Sequence, residues 1–268
     1  MSGLAPAFLE GALAVALRAA DAAEAITGPC YRERDFTVET KADATPVTAA
    51  DRAAETAIAG VLRDAFPDHA LWGEEHGREG TGEFTWLVDP IDGTRSFVRG
   101  YPMFSTQIAL LHAGEVVVGV SAAAEYGERA WAVRGAGAFL AARGGAPVRL
   151  RVSGASAFGP DCALSTGNLR SLAASPARWV ALADIVRRCG RTRGYGDFLH
   201  YHLLARGAID LVLESDVHVL DIAALSLVVS EAGGVFTDLE GRAINLETRS
   251  VLAGPALLHA QALAMMQA

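Results

Sequence analysis

Two carboxylates three residues apart, Asp89 and Asp92, close an apolar run that reads Trp86-Leu87-Val88-Asp89-Pro90-Ile91-Asp92-Gly93-Thr94. Hard cations such as Mg2+ take oxygen ligands, commonly one or two carboxylates with water and substrate phosphate completing the shell. Gly93 has no Cβ, so the backbone can come close to a phosphate, and amides opening a helix would face it. An ordinary Asp-Pro turn with Asp92 capping the next helix would produce the same string. Two further acidic positions weigh against that simpler account. Gly73-Glu74-Glu75 follows a short apolar piece, residues 70–72, where glutamates have no evident structural task. Asp221 stands before a strongly apolar helix, residues 222–229, and taken alone reads best as an N-cap. Asp51 likewise has the spacing of a capping box with Thr48. Each acid has a bland explanation; their combination points to cation-assisted chemistry on a phosphate.

The elements that must position these residues can be sketched from periodicity. An apolar stripe from Phe8 to Ala20 predicts an opening helix, and residues 48–66 predict a second, with Thr48 as N-cap and Pro67 beyond its end. Residues 85–88, 105–112, 115–121 and 129–133 read as strands, the later ones joined by tight glycine-containing turns, which implies an antiparallel sheet. Residues 143–160 are rich in Gly, Ser and Pro. Beyond them strands (162–165, 209–214) alternate with helices (176–188, 198–206, 221–232), the signature of an α/β layer. The expectation is two stacked α/β halves, 1–150 carrying most of the acids and 151–268 carrying Asp221.

Composition bounds the function. The 268 residues are 51% hydrophobic with a net charge of −8, enough for a large core and unfavourable for nucleic acid or anionic membranes. Cys30, Cys162 and Cys189 lie far apart in the chain and form no CxxC pair, which suits a reducing cytoplasm. The apolar run 12–17 is too short to span a bilayer, so a soluble protein is expected.

The motifs GEE, DPIDGT and a distal D-x-A-A-x(8)-AGG, in this order and spacing, resemble the inositol monophosphatase family of magnesium-dependent, lithium-sensitive phosphatases. The resemblance runs from about Lys41 to Gly234. It implies the layered αβαβα sugar-phosphatase fold, commonly dimeric, acting on a small phosphorylated substrate. It further implies that Glu74, Asp89 and the Ile91 carbonyl hold a first Mg2+, and that Asp89, Asp92 and Asp221 hold a second. Glu74 with waters would hold a weaker third. Asp51 and Thr94 would orient the attacking water, and the Gly93 and Thr94 amides would bind phosphate. One departure is visible: the family usually has Trp before the distal Asp, where this chain has Leu220.

The leaving group should be read by the second half. Asp197, in Gly194-Tyr195-Gly196-Asp197-Phe198, and Glu214 would form an acid pair suited to an ammonium or imidazolium, although Asp197 could equally cap the helix that starts at Phe198. The string YGDF-x-x-Y-x-L-L-A-x-G, with Phe97-Val98-Arg99-Gly100, is similar to the histidinol-phosphate phosphatase branch. Histidinol phosphate is therefore the first expectation, with inositol phosphate or another sugar phosphate next, and a partner-binding protein on a phosphatase scaffold as the non-enzymatic reading. Arg134-Gly135-Ala136-Gly137 lacks the glycine pattern of a dinucleotide site and reads as a hairpin turn. Gly119-Val120-Ser121 lacks the closing glycine of a nucleophile elbow. His69, His112, His200, His202 and His259 show no partner pattern and read as structural or surface groups.

Overall fold

The computed structural model describes residues 4–34, 36–40, 46–143 and 145–267. Lys41, where the motif resemblance begins, lies outside them. The chain opens with α1 (Pro6–Glu33), the small antiparallel pair β1 (Val38–Thr40) and β2 (Pro46–Thr48), and α2 (Ala49–Ala65). A large sheet follows, from β3 (Ala70–Gly73), β4 (Gly77–Glu79), β5 (Phe84–Asp92), β6 (Ser105–His112), β7 (Glu115–Ala123), β8 (Glu128–Val133), β9 (Gly137–Ala142) and β10 (Val148–Arg149), with α3 (Thr94–Arg99) leaving the end of β5. Its strand order is β10-β9-β8-β7-β6-β5-β3-β4, antiparallel except where β3 lies parallel to β5.

The remaining chain builds a five-stranded sheet with its helices. In order these are β11 (Ala163–Thr166), α4 (Arg170–Ala173), α5 (Pro176–Arg188), β12 (Arg191–Arg193), α6 (Asp197–Ala205), β13 (Leu211–Ser215), α7 (Val219–Glu231), β14 (Val235–Thr237), β15 (Ser250–Gly254) and α8 (Ala256–Met266). The strand order is β12-β11-β13-β15-β14, with β15 antiparallel to both its neighbours.

Side-chain alternation along the strands divides the interior into three apolar layers. Trp86, Val88, Ile108 and Leu110 face one way and pack on the small residues of α1 (Ala12, Ala16, Ala19, Ala23) and on Ile58 and Leu62 of α2. Leu87, Ala109 and Leu111 face the other way, onto α6 and α7, whose far side meets Val212, Phe236, Val251 and Ala253 of the second sheet. That sheet's other face, through Leu164, Leu211, Leu213 and Leu252, packs on α4, α5 and α8. The result is helix, sheet, helix, sheet, helix. A helix between two sheets must be apolar all round, and Val219, Leu220, Ile222 and all residues from there to Val229 are buried.

Candidate active site

Asp89, Asp92 and Asp221 converge at the end of β5, with Glu74 and Asp51 close by and Asp197 and Glu214 in an adjoining recess. The device that brings Asp89 and Asp92 together is a bulge. Asp89 continues the face of Leu87, toward α7. In a regular strand a residue three places on would face the opposite way. Pairing with β6 shifts here: Asp89 lies opposite Gln107 and Asp92 opposite Ser105, so β5 advances three residues while β6 advances two. The extra residue returns Asp92 to the face of Asp89, and Thr106 Oγ1 secures the bulge by donating to the Pro90 carbonyl at 2.9 Å. The expected strand 85–88 thus runs on through both carboxylates. Asp92 does not cap α3; Gly93 takes the cap position in the left-handed region at φ 92°, where a Cβ would meet the Met103 carbonyl at 2.7 Å.

Asp221 comes from the first turn of α7, where its carboxylate accepts from the His218 amide at 2.9 Å in a capping box. Carboxylate oxygens of Asp89, Asp92 and Asp221 lie within 4.8 Å of one another. Leu220, where the family usually has Trp, is buried in the apolar layer beneath. Glu74 follows β3, its amide donating to the Val88 carbonyl at 3.2 Å, and its charge raises the proton affinity of Asp89.

Asp51 is both things the sequence allowed. Its Oδ2 accepts from the Thr48 amide (2.7 Å) and hydroxyl (2.6 Å), completing the capping box of α2. Its Oδ1 points the other way, 3.2 Å from Thr94 Oγ1, which also lies 3.0 Å from the Ile91 carbonyl.

Burial and mutual repulsion dominate the electrostatics. Asp89 is pushed well above the usual carboxylate range by burial, then by Glu74, Asp92 and Asp221. Asp92 is raised as strongly by burial, then by Asp197, Asp221 and Glu214. Burial chiefly lifts Asp221 to about 7. Asp51 is also raised by burial, against hydrogen bonds from Thr48 and Thr94. Among the described residues no Lys or Arg forms an ion pair with Asp89, Asp92 or Asp221. Several clustered, buried, acceptor-only oxygens without a protein cation are the donor set of a hard divalent metal, and the residues present fit one.

The cluster opens into a cavity of about 570 Å3 lined by Trp72, Glu74, His218, Asp221 and Arg249. A recess of about 30 Å3, which shares Asp221 with that cavity, is lined by Asp92, Asn168, Asp197, Tyr201 and Glu214. Here the two acids of the expected pair line one recess and differ in how they are engaged. Glu214 Oε1 accepts from the Asn168 amide (3.1 Å) and Oε2 from Tyr201 Oη (2.9 Å), while His200 Nε2 lies 3.1 Å from Oε2. Burial raises the proton affinity of Glu214, but His200 and these donors outweigh it and hold the group below its ordinary range. Asp197 starts α6 without capping it. It sits at φ 44°, a strained conformation for a residue with a Cβ, and makes no hydrogen bond through its side chain among the described residues. Burial, then the charge of Glu214, raises Asp197 to about 6.

A layered fold closed around a carboxylate-only cluster at the turn from β5 to α3 defines a metal-dependent phosphatase. The chain belongs to the inositol monophosphatase family, whose model matches residues 9–268, and is a phosphoric monoester hydrolase. It is 42% identical to a histidinol-phosphatase from Mycobacterium tuberculosis over 261 residues, 96% of this chain and 98% of the relative. With a histidinol-phosphatase from Streptomyces coelicolor the identity is 43% over 83% of this chain and 85% of the relative. Among solved structures, the extragenic suppressor protein suhB from Bartonella henselae superposes with a TM-score of 0.85 at 29% identity, covering 96% of this chain and 98% of that one.

Three contributors escaped sequence reasoning. Glu55, 1% exposed on α2, accepts from the Glu75 amide (2.7 Å), the His76 amide (2.8 Å) and His76 Nδ1 (2.9 Å), and so holds the loop that carries Glu74. Gly73 is required beside it, since a Cβ there would lie 2.0 Å from Glu55 Oε1. His200 and His202, set aside as structural or surface groups, are both fully buried, one against Glu214 and the other against Ser121 and Glu128. The available signal was their setting. Residues Phe198 to Leu204 are apolar but for these two, and a histidine in so apolar a helix needs a buried partner.

Proposed function

We propose that this protein is a Mg2+-dependent histidinol-phosphate phosphatase. The single observation that carries the substrate reading is Asp197, a carboxylate with unengaged acceptors in the recess beside the metal cluster. It is placed to receive the cationic amine or imidazole end of the substrate, with Glu214 adding negative field while held by His200, Tyr201 and Asn168. The relatives named histidinol-phosphatase support the same reading.

In this proposal Glu74, Asp89 and the Ile91 carbonyl hold one Mg2+, Asp89, Asp92 and Asp221 hold a second, and Glu74 with waters a third. Bound there, the ions would lower the pKa of water and neutralise the phosphate's charge. The Gly93 and Thr94 amides, at the open start of α3, face the phosphate oxygens. Asp51 offers one open oxygen, Oδ1, toward Thr94, because Thr48 occupies the other. The Asp51–Thr94 pair therefore orients the attacking water and takes its proton as the new P–O bond forms, and the raised proton affinity of Asp51 suits that task. As the P–O ester bond breaks, the departing alkoxide takes a proton from solvent in the cavity. Lithium would compete at the Asp89–Asp92–Asp221 position, and a cytoplasmic homodimer completes the proposal.

Phosphate release from histidinol phosphate, inositol monophosphate and a small uncharged ester, each with Mg2+ and with EDTA, tests this. The expected result is Mg2+-dependent release with the highest kcat/KM for histidinol phosphate. A higher kcat/KM for inositol monophosphate would overturn the substrate assignment, and full activity in EDTA would overturn the metal assignment.

A further inference from the structure

A line of buried polar side chains leads from Asp92 away from the cavity and across the large sheet. Ser105 Oγ donates to Asp92 Oδ2 at 3.2 Å, and Gln107 Nε2 donates to Ser105 Oγ at 2.8 Å and to Ser121 Oγ at 3.1 Å. Gln107 and Ser121 are direct cross-strand partners on β6 and β7. His202 of α6 continues the line, with Nε2 2.9 Å from Ser121 Oγ and Nδ1 3.3 Å from Glu128 Oε2, and Arg206 closes it at 2.6 Å from Glu128 Oε1. Ser105 and Gln107 are 1% exposed, Ser121 and His202 fully buried. Polar groups at such depth cost stability unless each finds a partner, so four in sequence imply a task beyond filling space.

One constraint orders the protons. A carboxylate that ligates a metal is ionised and accepts only, so the Ser105 hydroxyl donates to Asp92. Its oxygen then accepts from Gln107, which places the amide NH2, not the carbonyl, between the two serines. Ser121 accepts from the same NH2 and donates to His202 Nε2, leaving the proton of a neutral imidazole on Nδ1, toward Glu128. Gln107 Oε1 is the buried atom of the line left without a partner. Turning the amide over would set that oxygen 2.8 Å from Ser105 Oγ, where it would either meet a second acceptor or draw the Ser105 proton away from Asp92.

We propose that Gln107 is a positioning residue for Asp92. Held between Ser105 and Ser121, and anchored through His202 to Glu128, it keeps the Ser105 hydroxyl directed at one Asp92 oxygen and leaves the other for the cation. This rests on Asp92 being a metal ligand. Removing groups that orient a ligand typically lowers metal affinity 10- to 100-fold.

The test is calorimetric titration of Mg2+ into the substrate-free protein, for the parent and for Ser121→Ala, Gln107→Leu and Asp92→Ala, with melting temperatures in EDTA. Ser121 touches neither Asp92 nor Ser105, and within the line it is connected to Asp92 through Gln107 and Ser105. The expected result is a Mg2+ dissociation constant raised about 10-fold in Ser121→Ala and up to about 100-fold in Gln107→Leu. KM for substrate at saturating Mg2+ should stay within about twofold of the parent. Parental Mg2+ affinity in Ser121→Ala and Gln107→Leu, with loss in Asp92→Ala, would overturn the positioning role and leave the ligand assignment standing. Parental affinity in Asp92→Ala would overturn both. If Gln107→Leu does not fold, Ser121→Ala decides alone.

Discussion

Asp51 and Glu55 stand one turn apart on α2 and reach two different loops of the site, Asp51 toward Thr94 and Glu55 into the amides of Glu75 and His76. One rigid helix thus sets the spacing between the group proposed to orient water and the loop proposed to supply a metal ligand. Glu55→Ala should raise the half-activating Mg2+ concentration about 10- to 100-fold. Leaving two amides unpartnered should also cost about 2–4 kcal/mol of stability, read as a melting temperature lower by roughly 4–16 °C for a chain of this length. An Mg2+ activation curve matching the parent would show that Glu55 supports the fold alone.

Asp89 is central to the cluster and should be its most sensitive member. Asp89→Asn keeps the shape while removing the charge, and it should lower kcat/KM at least about 1000-fold, equivalent to about 4 kcal/mol of barrier. Steady-state kinetics across a Mg2+ series measures this; a rate within tenfold of the parent would contradict the assignment.

Metal binding should be linked to protons. Asp89, Asp92 and Asp221 have proton affinities raised above their ordinary values in the metal-free protein, Asp221 to about 7. For each, the stabilisation due to the protonated form is complete below the ordinary carboxylate range and is lost as pH rises through the raised value. Metal needs the ionised form. Mg2+ should therefore bind more tightly as pH rises from 6 to 8, releasing fewer protons at the upper end, and its stabilising effect on melting should widen over the same window. Calorimetry in buffers of different ionisation enthalpy gives the proton count. Affinity independent of pH over that range would refute the linkage.

Asp197 and Glu214 should separate in their effects. Asp197→Ala removes an unengaged acceptor and should lower kcat/KM for histidinol phosphate roughly 10- to 100-fold, about 1.4–2.7 kcal/mol, while sparing a small uncharged ester. Glu214→Gln disturbs His200, Tyr201 and the Asn168 amide as well, and should impair both substrates. Equal losses on the two substrates for Asp197→Ala would remove it from substrate selection.

What could be read from the chain follows from the range of the forces involved. The acids were legible because each lies at an element boundary, where a polar residue after an apolar run stands out. The limits of α2, α5 and β6 were also close to their expected places, since capping, proline and period-2 alternation are local. The bulge at Asp89–Asp92 was not legible, because it exists only in the pairing of β5 with β6. Glu55 and Gln107 were hidden for the same reason: Glu55 holds amides 20 and 21 residues away and Gln107 reaches Ser121 across the sheet. The partners of His202 are still more distant in the chain, although its apolar helix signals that it must have one. Cys162 and Cys189 are distant in the chain, yet their sulfurs lie 3.6 Å apart in a thiol–thiol hydrogen bond, with no disulfide between them.

The bulge in β5 also acts as a correction of parity. Along a strand, positions of odd and even spacing belong to opposite faces, so two carboxylates three residues apart are out of phase by construction. Matching their parity directly, with the acids two positions apart on the same face, would hold their Cα atoms about 6–7 Å apart along a straight strand. The inserted residue restores phase across a three-residue interval between Asp89 and Asp92. Removing one residue there would let β5 pair with β6 without a bulge and would leave the second acid on the face of Asp89, at the spacing of a straight strand. Substitution at Pro90 or Ile91 tests packing; deletion of one of them would test the bulge itself, and a chain shortened by that one residue should bind Mg2+ more weakly than the parent.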